Sequence, residues 1–230
     1  MIELTKYISN IIVDSVFPAK CACGRWGSNI CFKCKKDIEI YKTALCPICG
    51  KISLCGRVCK ACKHKSDITG VMILGKHDGV LKKSIWRLKY GFTKGISEDL
   101  GILLADNFGE HILKKQPLVT WVPETKKKLR LRGYNQSKEI ATHIARRLGM
   151  VSEALLEKSI DTKSQVGLRR NERLRNIAGS IKYIGPSIIK NKRILLIDDV
   201  YTTGATLEEC AKILRVAGYR EVWAMVLSRD

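Results

Sequence analysis

Nine of the ten cysteines in this 230-residue chain lie between Cys21 and Cys62, and the tenth is Cys210. The segment that holds them has little apolar content. A stretch so short and polar cannot bury enough surface to fold alone, so cross-links or a metal must supply much of its folding energy. Eight of the nine fall into pairs: Cys21/Cys23, Cys31/Cys34, Cys46/Cys49 and Cys59/Cys62, with Cys55 left over. A C-x-x-C knuckle presents two sulfurs on one tight turn, and a second knuckle completes a tetrahedron around Zn²⁺. The simplest assignment is one site from Cys21, Cys23, Cys31 and Cys34 and another from Cys46, Cys49, Cys59 and Cys62. The first pair is C-A-C, one residue short of a knuckle, and Cys55 and His64 are substitute ligands for the second site. A disulfide framework fits less well. Residues 1–18 are interrupted by Glu3, Lys6 and Asp14, unlike the continuous apolar core of a secretory signal. Residues 1–20 read as a short amphipathic helix with Leu4, Ile8, Ile11, Ile12 and Val16 on one face.

From Val71 the texture changes. Apolar runs at 71–74, 118–122, 193–197 and 221–227 predict strands, and helical spacing predicts helices over 80–90, 99–113, 135–149 and 205–218. Gly149 and Gly218 are placed to stop two of these helices. Strands separated by helices imply right-handed crossovers, hence an α/β fold whose parallel sheet is covered by helices on both faces. The expected division is 1–68 for the first helix and a small zinc-ribbon domain, and 69–230 for the sheet domain. Cys210 falls mid-helix and is expected to be a buried apolar residue. No run approaches the roughly 18 apolar residues of a membrane span.

Residues 194–206 read ILLIDDVYTTGAT. A buried-type strand ends in two carboxylates, and a Thr/Gly loop then opens a helix. The carboxyl end of a parallel strand is where open α/β sheets bind ligands. The loop Thr202, Thr203, Gly204, Ala205 and Thr206 offers hydroxyls and backbone amides at a helix N-terminus, a cradle for phosphate. Asp198 and Asp199 repel phosphate, but they accept hydrogen bonds from vicinal hydroxyls and can hold Mg²⁺ through water. Vicinal hydroxyls and a phosphate on adjacent loops describe a ribose 5-phosphate. The thirteen residues resemble the phosphoribosyl-diphosphate signature of type I phosphoribosyltransferases. The basic stretch 121–137 follows a strand, so its Val122, Pro123 and Glu124 turn is the expected pyrophosphate loop. The polar, basic stretch 162–181 resembles a mobile lid.

Formal net charge is +20 at pI about 9.7, a balance suited to polyanions. Both parts are basic, with 12 Lys+Arg against 5 Asp+Glu in 1–70 and 30 against 17 in 71–230. The cations group at Lys82, Lys83, Arg87 and Lys89, at Lys126, Lys127, Lys128, Arg130 and Arg132, and at Arg169, Arg170, Arg173 and Arg175. Trp86, Tyr90, Trp121 and Tyr134 lie within these basic stretches, where they either stack nucleic-acid bases or fill core.

Over nearly its whole length the chain resembles the ComF family. Lys89-Tyr90-Gly91 resembles that family's K-Y-x-G element, and Arg132-Gly133-Tyr134-Asn135-Gln136 its R-G-[FY]-N-Q motif. Thr162, Gln165, Leu168, Arg173 and Asn176 match its lid pattern, with Lys158 where an arginine is usual. The resemblance implies a double zinc ribbon on a type I phosphoribosyltransferase-like domain. It implies a cytoplasmic competence factor that handles incoming single-stranded DNA in natural transformation, working beside DNA-uptake or recombination proteins. The ligands implied are Zn²⁺ in one or two structural sites and Mg²⁺ with phosphoribosyl diphosphate, with Asp198 and Asp199 as the catalytic pair. Candidates for the lid and for nucleic-acid contact are Arg132, Asn135, Gln136, Gln165, Arg169, Arg170, Arg173 and Arg175. The competing expectation is a metabolic phosphoribosyltransferase. There pyrophosphate leaves ribose C1, a base or amine attacks, and preorganised charge suffices without a covalent nucleophile. Metal loss is expected to unfold 21–65 and leave the sheet domain folded.

Overall fold

The computed structural model describes residues 18–91, 93–114, 116–158, 179–186 and 193–230. The expected helix over 1–20 therefore falls almost wholly outside the described residues. So does most of the 162–181 lid, with Gln165, Arg169, Arg170, Arg173 and Arg175. The cysteine segment contributes helix α1 (Phe32–Lys36) and two 3₁₀ turns, Leu54–Gly56 and Lys60–Lys65. Strand β1 (Gly70–Lys76) follows, then α2 (Gly79–Tyr90), α3 (Ile96–Leu113) and β2 (Leu118–Trp121). Next come α4 (Lys126–Arg132), α5 (Gln136–Leu148), β3 (Leu156–Lys158) and β4 (Ile181–Tyr183). The chain closes with β5 (Arg193–Tyr201), α6 (Ala205–Val216) and β6 (Glu221–Arg229).

The main sheet runs β1-β6-β5-β2 with every pairing parallel. Val119 also bridges Ser152 in parallel beyond β2. Side chains alternate across the strands, so each strand feeds two cores. On one face Met72, Leu74, Val119, Leu195, Ile197 and Met225 meet buried residues of α2, α3 and α5. On the other, Leu118, Ile194, Leu196, Val222 and Val226 meet Leu207, Cys210, Ala211 and Leu214 of α6. Cys210 is fully buried there. The helix ends are built locally. Asp78 accepts the Gly79 amide at the start of α2, Asn135 accepts the Lys138 amide at the start of α5, and Gly149 ends α5 at φ 65°.

Three local readings change. Strand β5 does not stop before its acids but runs on to Tyr201, because β6 continues to pair beside it as far as Arg229. The basic stretch after β2 is partly helical. Thr125 caps α4 by accepting the Lys128 amide, and Gly133 ends it at φ 80°. A small antiparallel pair, β3 with β4, packs Leu156 and Ile181 into the α6-side core.

The cysteine segment is joined to the sheet through backbone and core. β1 is an edge strand, and its free edge is covered. Tyr41 donates its amide to Leu74, Val58 donates to Thr69, and Ile40 and Arg57 bridge Gly75 and Gly70. Ile30, Cys31, Cys34 and Ile38 belong to the same core as Leu81, Leu88 and Leu100. Lys35 pairs with Asp99 of α3 at 2.6 Å. Gly75 makes the close approach possible, since a Cβ there would run into the Glu39 carbonyl. Gly75→Ala is therefore expected to pry the ribbon from β1. The cost should be about 1–3 kcal/mol, as for other overpacking changes, seen as a fall in the midpoint of thermal unfolding.

Candidate functional site

The acid pair sits at the carboxyl end of β5, in the middle of the sheet. Ser137, on the first turn of α5, donates its Oγ to Asp198 Oδ1 at 3.0 Å, and the Asp199 amide donates to the same oxygen at 2.9 Å. Lys89, at the C-terminal end of α2, places Nζ 2.7 Å from Asp199 Oδ1. The two acids are thus unequal. Burial first, then the charge of Asp199, pushes the Asp198 carboxyl up to about 7. For Lys89, burial works against the ammonium. The Asp199 charge and hydrogen bond outweigh it and hold the lysine above its ordinary value.

The loop after the acids turns through Thr202, Thr203 and Gly204, where Gly204 is left-handed at φ 76°. A side chain at Gly204 would also press on the Tyr201 ring, so glycine is required on both counts. Helix α6 begins at Ala205 with no capping hydrogen bond from its N-cap side chain. Ala205 N reaches Thr203 Oγ1 at 3.4 Å. Thr202 is exposed and Thr203 and Thr206 half-buried. The Tyr201 hydroxyl donates to the Pro47 carbonyl at 3.3 Å, which brings the second cysteine cluster against this loop.

The 122–124 turn lies beside it. The Val122 amide donates to Ile197, and its carbonyl accepts Asn135 Nδ2 at 2.9 Å. Pro123 is buried. The expectation of a plainly basic pyrophosphate loop is modified here, because Glu124 is itself anionic and takes up Lys128 at 3.1 Å and Arg132 at 4.0 Å. The R-G-Y-N-Q residues build scaffold. Arg132 Nε donates to the Lys89 carbonyl at 2.6 Å and the Tyr134 hydroxyl to that of Leu88 at 2.7 Å, which fixes the end of α2 that carries Lys89. Asn135 is 6 % and Gln136 1 % exposed. Burial leaves those two candidates little to offer a nucleic acid directly.

Sequence reasoning did not find Ser137 or the pairing of Lys89 with Asp199. It noted Lys158 only as a departure from the ComF pattern. This lysine is 8 % exposed on β3, and burial, then the charge of Lys128, lowers its pKa. The charges of Glu124 and Asp198 act on it in the opposite sense. A lysine at an otherwise buried strand position was the available signal.

The cysteines gather into two groups, Cys21/Cys23/Cys31/Cys34 and Cys46/Cys49/Cys59/Cys62, each with all four sulfurs within 4.8 Å of one another. Cys23 Sγ lies 3.7 Å from Cys31 Sγ, and Cys49 Sγ 3.7 Å from Cys59 Sγ. Tetrahedral Zn²⁺ with bonds of about 2.3 Å separates its sulfurs by about 3.8 Å, whereas a disulfide needs about 2.05 Å. The Cys31 and Cys59 amides donate to Cys21 Sγ and Cys46 Sγ. Against the opposing effect of burial, backbone amides hold both of these thiols down at about 6. The C-A-C spacing closes the first set, and neither Cys55 nor His64 joins the second. Both Cys₄ groups could bind zinc structurally.

A parallel sheet covered on both faces, with an acid pair and a threonine loop at its carboxyl edge, defines a phosphoribosyltransferase-type domain. Residues 135–230 match the family profile described as phosphoribosyl transferase domain. The chain is 28 % identical over 220 residues to competence protein F of Haemophilus influenzae, covering 86 % of this chain and 96 % of that one. It is 25 % identical over 199 residues to competence protein ComFC of Bacillus subtilis, with 82 % and 79 % covered. The DNA utilization protein YhgH of Escherichia coli K12 is 28 % identical over 217 residues, with 90 % and 92 % covered. Among solved structures, an allosteric regulatory enzyme of purine biosynthesis aligns at TM-score 0.43 and 19 % identity over 62 % of this chain and 30 % of its own. These relatives, alike over most of the chain, and the matched domain support the ComF family. Among the described residues no helix is long and apolar enough to cross a membrane.

Proposed function

We propose that this protein is a competence factor that binds single-stranded DNA in the cytoplasm during natural transformation. Its acid pair and threonine loop form a pocket for phosphoribosyl diphosphate, and both Cys₄ groups hold Zn²⁺. The names of its relatives support the competence role. The observation that carries the DNA-binding reading is on α2. Trp86 is 59 % and Tyr90 58 % exposed, one helical turn apart, with ring centroids 5.8 Å from each other. Lys82 and Lys83 are exposed on the preceding turn, and the Arg132 guanidinium lies 5.7 Å from the Tyr90 ring. Two open aromatic faces among cations suit bases and phosphates of an unpaired strand. The pair has no core role, since the buried face of α2 is Leu81, Ser84, Ile85 and Leu88.

In the pocket, Asp198 and Asp199 accept the ribose hydroxyls and reach Mg²⁺ through water, residues 202–206 hold the 5-phosphate, and the 122–124 turn, with Lys158, faces the diphosphate. The test is fluorescence anisotropy with labelled oligothymidylate at several salt concentrations. Affinity should fall steeply with salt, at about 0.7 per phosphate neutralised on logarithmic axes. Trp86→Ala with Tyr90→Ala should weaken binding about tenfold or more, since base stacking contributes about 1–3 kcal/mol per base. Absence of strand binding by the wild-type protein would overturn the reading. The intact acid pair and loop favour a second reading, a phosphoribosyltransferase with base or amine acceptor. Pyrophosphate release that requires a nucleobase would establish it.

A further inference from the structure

Helix α2 faces two ways. Its outer surface carries Trp86 and Tyr90, and its last turn delivers Lys89 to Asp199 at 2.7 Å. Arg132 joins the same two places, donating to the Lys89 carbonyl while its guanidinium lies over Tyr90. The aromatic pair and the acid pair are therefore connected through adjacent residues of one rigid helix. The end of that helix is fixed by Arg132 and by Tyr134, whose hydroxyl bonds Leu88. In the structure Lys89 is neutralised by Asp199, and Arg132 is turned partly toward Glu124.

We propose that the pocket and the strand-binding face of α2 are antagonistic: a sugar diphosphate held at Asp198 and Asp199 weakens single-stranded DNA on Trp86 and Tyr90, and the strand weakens the sugar diphosphate equally. This rests on the reading given under Proposed function and adds regulation to it. Both ligands are polyanions, and Arg132 adjoins both places, bonding the Lys89 carbonyl and lying over Tyr90. A diphosphate beside Lys89 sets several negative charges about one Debye length or less from phosphates lying along α2, where screening is incomplete. Ribose hydroxyls that bond Asp199 compete with Lys89 for its carboxylate and free that ammonium for the diphosphate. The strand then gains a repelling neighbour. Coupling between two binding equilibria is reciprocal by thermodynamic necessity.

The experiment measures oligothymidylate affinity by anisotropy on the zinc-loaded full chain, with Mg²⁺ alone and with Mg²⁺ plus saturating phosphoribosyl diphosphate. Ionic strength is matched with sodium sulfate. Strand affinity is expected to fall with the sugar diphosphate by about fivefold or more beyond the fall that the matched sulfate alone produces. With Asp199→Asn the ligand's effect should vanish, because the anchor shared with Lys89 is gone. Calorimetric titration of the sugar diphosphate into the strand complex should show the same factor. An unchanged strand affinity at ligand concentrations that raise the protein's melting temperature would overturn the antagonism and leave the proposed function standing. An equal loss with matched sulfate would likewise overturn it. A wild-type protein that binds no strand without ligand would overturn both readings.

Discussion

Asp198→Asn and Asp199→Asn are expected to weaken sugar-diphosphate binding alike, by about ten- to a hundredfold in calorimetric titration, while moving stability in opposite directions. Each change removes one hydrogen-bond-accepting carboxylate oxygen from the proposed ribose site. Bonds to charged groups contribute about 1.5–3 kcal/mol each, and two vicinal hydroxyls share the pair. The stability signs follow from the surroundings. Asp198 is held up near 7 by burial and by Asp199, above the ordinary carboxylate range it has in the unfolded chain. The folded state therefore binds its proton more tightly, and stability falls as pH rises from about 4 through about 7. Asn at 198 keeps an acceptor for Ser137 and the Asp199 amide but carries no charge. It should raise the melting temperature by a few degrees at pH 8, at about 2–4 °C per kcal/mol, and do little at pH 4. Asn at 199 strips the half-buried Lys89 of its partner and should lower the melting temperature. A single sign for both variants at pH 8 would contradict the charge distribution described for this site.

Removing one sulfur from each cluster should have unequal consequences. Cys34→Ser acts on a cluster that shares its core with α2 and α3. Cys62→Ser acts on a small satellite of Cys46, Val58 and Cys62, with Ile48 and Cys59 packed against it. Structural zinc supplies on the order of 10 kcal/mol to small domains that depend on it. Cys34→Ser is therefore expected to unfold the sheet together with the ribbon, whereas Cys62→Ser should loosen residues 46–65 and the Tyr201 contact first. Amide hydrogen exchange at β1 and β6 distinguishes the two. Complete chelation should lower protection in β1, contrary to the expectation that 21–65 unfolds while the sheet stays intact. Unchanged exchange at Leu74 after full metal removal would rule this out.

The long elements were legible because their apolar spacing is regular and their ends carry ordinary signals. Leu81, Ile85 and Leu88 mark α2, Ile140 and Ile144 mark α5, and Gly149 stops it. The acid pair and its loop were legible as a contiguous string. Helix α4 was not, since KKKLRLR has no apolar face to bury and is held by a Thr125 cap and a Gly133 stop. Strands β3 and β4 were hidden by their length of three residues each and by their separation in the chain. The pairing of Lys89 with Asp199, and the grip of Arg132 on the Lys89 carbonyl, join residues far apart in sequence. No local pattern encodes them. The same holds for the way the cysteine segment lies along β1, which depends on Gly56, Gly70 and Gly75 admitting another backbone.

The covered edge of β1 carries a cellular consequence. With the ribbon in place, Leu74 and Thr69 have their carbonyls occupied by Tyr41 and Val58. With no metal on its Cys₄ groups, the chain would present a flat, apolar strand, VMIL, ready to pair with another copy of itself. Scarcity of metal would then be felt as insoluble protein before it is felt as lost chemistry.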